Sequence, residues 1–299
     1  MRLGLCCLFA EESIRFRTTT ATAHEKLSRK DRTAKLRSLA AQNAEALHAA
    51  IDYCATHGIG CFRVNSQILP LKTHPTLGYA TELLGSDVIE AYRGCGELAR
   101  STDTRVSFHP DQFVVLSSPS RTVVKNALAE LEYQAEVAEW IGADVINVHG
   151  GGGYGDKGGA LRRLATAVGD LSDRARSRLT LENDDRTYTP SDLLPVCDDL
   201  GLPLVYDVHH HRCHGDDFSI EVVTKRAIET WNREPLFHVS SPRDGWRSDT
   251  PRSHSDYIDV RDVPTFWDEL DITVEVEAKA KELAVRKLQA ALRRRAARR

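Results

Sequence analysis

The sequence predicts a (β/α)8 TIM barrel, a parallel eight-stranded barrel enclosed by outer helices, and three observations lead to that prediction. Apolar runs of strand length alternate with helix-like segments eight times, at about 37 residues per unit. Six consecutive runs each end on His, Glu or Asp, although these types make up only about one residue in five. The loops expected after the strands are long, as they are where a barrel carries a binding face.

Each strand is predicted from a short apolar run. The first two runs are Leu3-Gly4-Leu5-Cys6-Cys7 and Cys61-Phe62-Arg63-Val64. The six that follow finish on the residues His109, His149, Glu182, Asp207, His238 and Glu277. In a parallel barrel all strands end at the same rim, so the side chains at these positions are expected to converge.

Between the strands, apolar residues recur at three- and four-residue steps, which is typical of amphipathic helices. The predicted helices cover residues 32–56, 87–100, 121–141, 159–175, 191–200, 219–231 and 262–269, and a last helix follows Glu277. The predicted rim loops cover residues 8–31, 66–86, 110–120, 150–158, 183–190, 208–218 and 240–261. Because no linker divides this pattern, residues 1–282 are predicted to form one domain.

The end of the chain is strongly basic. Between Lys279 and Arg299 there are nine basic residues and one acid, Glu282, in a protein whose net charge is −3. Residues 283–299 are predicted to be either a basic tail that contacts nucleic acid or the solvated end of the last helix.

Composition narrows the class of protein. No apolar stretch reaches the ~18 residues that a membrane span needs, and no cleavage-like signal segment is recognisable near the first residue. Seven cysteines without a CxxC pair argue against a disulfide framework or a structural zinc module. We therefore expect a cytoplasmic, monomeric protein with no membrane partner.

The strand ends and two loops supply candidate metal ligands. Asp207-Val208-His209-His210-His211 places a carboxylate and an imidazole three positions apart, and His254 lies in the Pro/Ser-rich loop after the seventh strand. A lone histidine at a strand end is more often structural, but eight ligand-type residues at one rim indicate a metal site. The set is His109, His149, Glu182, Asp207, His210, His238, His254 and Glu277.

The number and chemistry of these residues predict the cofactor. One zinc takes about three protein ligands, so eight candidates predict two or three divalent ions per chain. Five imidazoles favour Mn²⁺, Zn²⁺ or Fe²⁺ over Mg²⁺, which prefers oxygen. Closely spaced ions serve phosphodiester hydrolysis, because they activate a water and stabilise the leaving oxygen. Isomerisation of a small sugar is the other reaction open to such a barrel.

A glycine-rich run, Gly150-Gly151-Gly152-Gly153-Tyr154-Gly155, formally matches the dinucleotide-binding pattern GxGxxG. Gly158 and Gly159 delay the next helix, and the acid that a ribose would need falls at Glu182, already a candidate ligand. We therefore expect no nucleotide cofactor. The run either lets the backbone pass close to a phosphate or is a flexible loop.

Five strings, taken together, resemble the UV damage endonucleases. They are His109-Pro110-Asp111-Gln112-Phe113, His149-Gly150-Gly151, Leu181-Glu182-Asn183-Asp184, Asp207-Val208-His209-His210-His211 and Val276-Glu277-Ala278-Lys279. The resemblance extends from Arg2 to Glu282, and the related AP endonuclease IV lacks the first and third strings. It implies a metal-dependent barrel, typically with manganese, that nicks duplex DNA immediately 5′ to a photoproduct, with the eight candidate ligands at the family's metal positions.

The resemblance also implies roles for single residues. Gln112 and Phe113 match the pair that probes the duplex at a lesion; the alternative is that Phe113 packs inward and Gln112 caps the loop. The residues expected to be catalytic are Glu182, His210 and Glu277. The further residues expected to contact DNA are Arg63, His74 and Asn183.

Two positions depart from the family. Leu236 stands where characterised members have a carboxylated lysine, two residues before His238, and Leu5 stands where they have a tyrosine. Loss of the carbamate is expected to alter the spacing or choice of metals, with a water or Asp256 in its place. Loss of the tyrosine is expected to weaken lesion recognition.

The main hypothesis is therefore a DNA repair endonuclease that hydrolyses a phosphodiester 5′ to a UV photoproduct or another helix-distorting lesion. A xylose-isomerase-like enzyme acting on a small sugar or phosphate would instead show a narrow pocket without a basic groove. The loop residues expected to form that groove are Arg15, Arg17, Lys72, Arg243, Arg247 and Arg252. A noncatalytic DNA-damage binder would lack metal ligands, which this chain has.

Overall fold

The computed structural model describes residues 1–298, and its centre is a closed barrel of eight parallel strands that follow one another in chain order. The strands are β1 (Arg2–Cys6), β2 (Cys61–Val64), β3 (Arg105–Phe108), β4 (Val145–His149), β5 (Leu179–Glu182), β6 (Leu204–Asp207), β7 (Leu236–Val239) and β8 (Thr273–Val276). Each predicted apolar run contributes one strand. The predicted fold class is confirmed.

Helices surround the barrel and connect its strands. The α-helices are α1 (Ala21–Glu25), α2 (Arg29–Thr56), α3 (Ser86–Ser101), α4 (Arg121–Ile141), α5 (Lys157–Gly169), α6 (Asp173–Arg176), α7 (Pro190–Leu200), α8 (Val208–Cys213), α9 (Ile220–Glu229) and α10 (Lys281–Ala296). Short 3-10 helices cover Thr81–Leu84, Val260–Asp262 and Thr265–Glu269. Several helices begin at a side chain that accepts a backbone N–H, as Ser28, Thr189 and Ser219 do.

The predicted elements differ from the structure in three respects. Residues 159–175 form two helices instead of one, because α5 ends at Gly169 and Ser172 caps a new turn. Residues 262–269 form parts of two 3-10 turns separated by Pro264, which has no N–H to continue a helix. Helices α1 and α8 lie inside segments that the sequence predicts as loops, since they are too short to show a period.

The main apolar core lies between the strands and the helices. Side chains alternate along each strand, so Phe62 and Val64 pack outward into this core while Arg63 points into the barrel. The barrel interior holds a separate small apolar cluster of Val145, Val205 and Leu236 near the strands' N-terminal ends. Above that cluster the interior is polar, with the buried side chains Ser107, Asn147, Thr180, Glu182, His238 and Glu275.

Leu5, which stands at a position where the resemblance implies a tyrosine, is fully buried in the outer core. Its side chain therefore faces the helices and not the C-terminal rim. The expected effect of the missing tyrosine on lesion recognition stays a prediction.

The basic end of the chain continues as helix α10. Gln289 donates to the carbonyl of Gly58, just before β2, and Arg295 pairs with Asp268. Residues 283–296 thus continue the last helix, and Gln289 in its second half lies beside the N-terminal end of β2. Arg299 lies outside the described residues. Across positions 1–298, no helix is both long and apolar enough to cross a membrane.

Candidate metal centre

All eight predicted ligands lie at the C-terminal rim of the barrel. His149, Glu182 and Asp207 are the last residues of β4, β5 and β6, while His109 and Glu277 directly follow β3 and β8. The other three are His238 in β7, His210 in α8 and His254, which an isolated β-bridge holds in the loop after β7.

Glu182 is the centre of this cluster. Its Oε2 lies 3.0 Å from Nε2 of His109 and 3.8 Å from Nε2 of His149. Its Oε1 lies 3.3 Å from Nδ1 of His210 and 3.1 Å from Nδ1 of His238. Because the carboxylate is almost completely buried, its oxygens are shared among four imidazoles and not with bulk water.

Two further carboxylates extend the cluster. Oδ2 of Asp207 lies 3.5 Å from Nδ1 of His210. The two oxygens of Glu277 lie 3.7 Å from Nδ1 of His238 and 3.7 Å from Nδ1 of His254. Within residues 1–298, three overlapping groups have ligand atoms within 4.8 Å of one another: His109, His238 and Glu277; His109, His149 and Glu182; Glu182, Asp207 and His238. This overlap fits several ions that share ligands.

Unsatisfied atoms point to the same conclusion. Oδ2 of Asp207 and Nδ1 of His149 are buried and have no hydrogen-bond partner within residues 1–298. Such atoms are costly to bury unless something binds them. Imidazole nitrogens mixed with carboxylate oxygens are donors that Mn²⁺, Zn²⁺ and Fe²⁺ accept, so the residues fit divalent ions of this kind.

The charges of the cluster compensate one another. Burial lowers the pKa of His210, but Asp207 and Glu182 outweigh it and raise that pKa to about 10. Burial also opposes the protonated form of His238, yet Glu182 raises its pKa well above the ordinary value. In turn, His149 and His238 overcome burial and hold the pKa of Glu182 well below its usual range. The buried carboxylates thus favour positive charge at this rim, which a bound cation would also supply.

Backbone carbonyls orient two of the imidazoles. Nδ1 of His109 lies 3.0 Å from the carbonyl oxygen of Pro110, and Nδ1 of His210 lies 3.0 Å from that of Asn183. A ring nitrogen that donates to a carbonyl carries the proton, which leaves Nε2 as the free donor atom for a metal. Backbone groups therefore orient both rings, and a metal could bind through Nε2 after displacing any proton there.

Two residues expected to contact DNA lie inside the protein. Asn183 is fully buried; its Nδ2 donates to the carbonyl of Asp207 and its Oδ1 accepts from the N–H of the same residue. Arg63 is held in the barrel by hydrogen bonds to Glu275 and Glu277. In this structure these polar groups are used within the protein, so direct contact of either residue with DNA stays a prediction. Asn183 joins the ends of β5 and β6, and Arg63 supports Glu277.

The sequence interpretation missed Glu275, which is almost completely buried among the polar residues of the barrel interior. The string Val274-Glu275-Val276-Glu277 alternates as a half-exposed strand does. In a closed barrel the inner face is also buried, so the glutamate two positions before Glu277 points inward as well. The two-residue spacing from Glu277 was the signal for it.

The loop after β3 carries the two predicted lesion-probing residues. Gln112 is exposed and the Phe113 side chain is 75% exposed, so the alternative that Phe113 packs inward is wrong. The carboxylate of Asp111 accepts the N–H of Phe113 at 2.9 Å and shapes the turn. Gln112 lines a cleft of about 370 Å³ together with His149, which links this loop to the candidate centre.

His74 lies on the other side of the same loop. Its Nδ1 accepts the N–H groups of Thr76 and Leu77 at 3.4 and 3.3 Å, so the ring orders its own turn. Together with Phe113 and Lys72 it lines a second cleft of about 350 Å³. The exposed phenylalanine therefore stands between two openings at the rim.

The glycine-rich run after β4 does not prepare a phosphate site at a helix end. Asp156 caps helix α5 by accepting the N–H of Gly159 at 2.8 Å. A carboxylate thus occupies the position that a pyrophosphate takes in dinucleotide-binding folds. At Gly150 a Cβ would approach the ring of Tyr188 to 2.7 Å, so close packing explains this glycine.

Comparison with known proteins agrees with the geometry. Residues 1–297 match the profile of the family described as UV-endonuclease UvdE. The chain belongs to this family. The UV DNA damage endonuclease of Bacillus velezensis is 36% identical over 289 residues, which cover 91% of this UvdE-family chain and 87% of that protein. The enzyme of the same name from Deinococcus radiodurans is 35% identical over 301 residues, with 96% and 94% covered.

Solved structures share the fold of this UvdE-family protein. The crystal structure of SacUVDE has a TM-score of 0.88 at 24% identity and 98% coverage of both chains. Endonuclease IV from Thermus thermophilus has a TM-score of 0.64 at 16% identity, with 98% of this chain and 100% of that chain covered. The predicted resemblance to UV damage endonucleases is confirmed, and the chain is a member of a family of DNA repair endonucleases.

Proposed function

We propose that this UvdE-family protein is a metal-dependent nuclease that hydrolyses a phosphodiester of duplex DNA 5′ to a UV photoproduct or another helix-distorting lesion. The observation that carries the proposal is the cluster of five imidazoles and three carboxylates gathered around Glu182 at the barrel rim. A fold shared with sugar epimerases does not by itself favour a sugar substrate.

The eight residues have distinct proposed roles. Glu182 and Glu277 would each contribute to more than one ion, because each lies within reach of several imidazoles. His210 would bind through Nε2, with its Nδ1–H donated to the carbonyl of Asn183. Bound there, two or three divalent ions, Mn²⁺ first and Zn²⁺ or Fe²⁺ as alternatives, would activate a water and stabilise charge on the phosphate and the leaving oxygen.

Recognition of the lesion is proposed for Gln112 and Phe113. An exposed aromatic ring beside an amide suits a wedge, since the ring can stack where a base pair is disrupted while the amide bonds to base edges. A damaged pair costs less to open than an intact one, so the loop would select by deformability. Exposed cations on the rim loops can bind the flanking phosphates: Arg15, Arg17, Arg243, Arg247 and Arg252.

The test uses protein stripped of metal and then supplied with Mn²⁺, Zn²⁺ or Fe²⁺. Each preparation is incubated with a duplex that carries one cyclobutane pyrimidine dimer and with the same duplex undamaged. We expect at least two ions per chain by elemental analysis and one nick immediately 5′ to the dimer, only after metal is added. One ion or fewer per chain, or equal nicking of both duplexes, contradicts the proposal.

A further inference from the structure

A group of polar side chains lies below His238 in the barrel interior. Glu275 stands beside His238 in the ladder between β7 and β8, and its Oε2 lies 3.1 Å from Nε2 of His238. Both side chains are almost completely buried. A carboxylate in this place requires a donor, because an unpaired buried charge is strongly unfavourable.

The two nitrogens of His238 face different partners. Nδ1 points toward the candidate centre, 3.1 Å from Glu182 and 3.7 Å from Glu277. Nε2 points away from it and lies 3.1 Å from Oε2 of Glu275, but the geometry falls short of a hydrogen bond, so this buried nitrogen has no hydrogen-bond partner within residues 1–298. The imidazole therefore separates the predicted ligands from a carboxylate that lies in none of the three groups of possible metal ligands found in residues 1–298.

The position of Glu275 is fixed on all sides. Arg63 donates to its Oε2 at 3.2 Å, and the hydroxyl of Ser107 donates to its Oε1. At Gly4 of β1, an added Cβ would lie 3.1 Å from the Glu275 side chain, so a glycine leaves the room that this carboxylate occupies. The neighbouring inward residue of β7, Leu236, packs with Val145 and Val205 and offers no polar atom to His238.

We propose that Glu275 is a positioning residue: when ions occupy the centre, it accepts the Nε2–H of His238, which has no hydrogen-bond partner within residues 1–298, and thereby leaves Nδ1 unprotonated toward the ions. This inference rests on the proposed function, because it assigns the task of Nδ1 to metal binding. A carboxylate behind a ligating imidazole fixes the tautomer and ring orientation and makes the ligand more basic. Arg63 lowers the free-energy cost of burying Glu275, because its positive charge balances that of the carboxylate.

The test compares Glu275→Gln, which keeps an oxygen acceptor but loses the charge, with Glu275→Leu, which loses both. Glu234→Gln is the control, since Glu234 bonds to Thr273 and Arg2 at the opposite end of the barrel. Protein labelled with ¹⁵N-histidine is loaded with Zn²⁺, which is diamagnetic. Long-range ¹H–¹⁵N spectra then report the protonated nitrogen of His238, and competition with a chelator gives the Zn²⁺ affinity.

We expect wild-type protein and Glu234→Gln to bind Zn²⁺ alike, with the His238 proton on Nε2. Zn²⁺ affinity should fall about 10-fold in Glu275→Gln and about 100-fold in Glu275→Leu, with a changed Nε2 shift in both. If Glu275→Leu does not fold, the milder variant decides alone. Affinities within about twofold of wild type with an unchanged Nε2 shift overturn the inference while leaving the proposed function intact. A wild type that binds no Zn²⁺ overturns both.

Discussion

The two faces of the same eight strands carry opposite chemistry. On β2, Phe62 and Val64 face the helices within a continuous apolar core, whereas Arg63 between them faces a polar interior. On β5, Leu181 faces outward and Glu182 lies among four imidazoles. Each strand therefore has two roles: its outer face stabilises the barrel, and its inner face holds part of the candidate centre.

The largest effect is expected from a substitution on the inner face of the strands. Glu182→Gln keeps the side-chain volume but removes the charge shared by His109, His149, His210 and His238. Loss of a residue that only supports a ligand costs about 10- to 100-fold, so we expect nicking of lesion duplex to fall below about 1% of wild type. Circular dichroism should show an intact barrel. Near-native nicking by a folded Glu182→Gln protein would remove Glu182 from the centre.

The converse change is made in the apolar core that covers the outer face of the strands. Ile51 of α2 is fully buried in the apolar core, so Ile51→Ala should lower the free energy of unfolding by about 2–5 kcal/mol. Urea unfolding measures this, and Ile51→Val, at about 0.5–1.5 kcal/mol, is the graded control. Nicking per folded molecule should stay at the wild-type level. A folded Ile51→Ala protein with impaired chemistry would show that the two faces are not independent.

Phe113 in the rim loop lies outside both faces of the strands, so its substitution should change neither the stability of the barrel nor the candidate centre. Because Phe113 is 75% exposed, Phe113→Ala should leave the melting temperature unchanged. Loss of base stacking worth about 1–3 kcal/mol should weaken binding of lesion duplex about 5- to 150-fold. Phe113→Trp keeps a stacking ring and serves as the control. A large drop in melting temperature with unchanged lesion binding would assign Phe113 to packing.

The smallest expected effect concerns a buried carboxylate outside the barrel interior. Burial raises the pKa of Glu282, but the N–H groups of Ala10, Glu11 and Glu12 outweigh it and hold that pKa below its usual value. A lowered pKa contributes stability above the unfolded-state value of about 4.3 and loses it as pH falls through the folded-state value.

Glu282→Gln should therefore cost about 1 kcal/mol of unfolding free energy at pH 7. Urea unfolding at a series of pH values should show the difference from wild type shrinking below about pH 4. Metal content should not change, because Glu282 binds the loop after β1 and no predicted ligand. A difference that stays constant down to pH 3 would mean that the carboxylate is not the titrating group.

The sequence predicts the outer layer and the rim well, for identifiable reasons. Helix α4 begins and ends where its apolar period does, at residues 121 and 141. His149, Glu182 and Asp207 end apolar runs, and parallel strands bring run ends together whatever the details of packing. These features depend on local pattern and on one topological rule.

Features that depend on side-chain direction were less predictable. Asn183 follows a strand end, as a surface residue does, but its amide matches the backbone of Asp207 on the next strand. Arg63 and Glu275 lie far apart in sequence, and only closure of the barrel brings their charges to 3.2 Å. The periodicity of a sequence cannot predict such a pairing, because the pairing depends on how the closed barrel brings distant strands together.

The apolar cluster of Val145, Val205 and Leu236, with Trp231 packed against it, has a kinetic consequence. It closes the barrel interior near the strands' N-terminal ends, so in the part of the chain that the structure describes the predicted ligands are approached from the rim, where His149 lines a cleft. A duplex seated over that rim would cover the route by which ions and water exchange. We therefore expect a chelator to strip ions from free enzyme faster than from enzyme saturated with uncleavable lesion duplex. Each strand cleavage would then use ions that were already bound before the DNA.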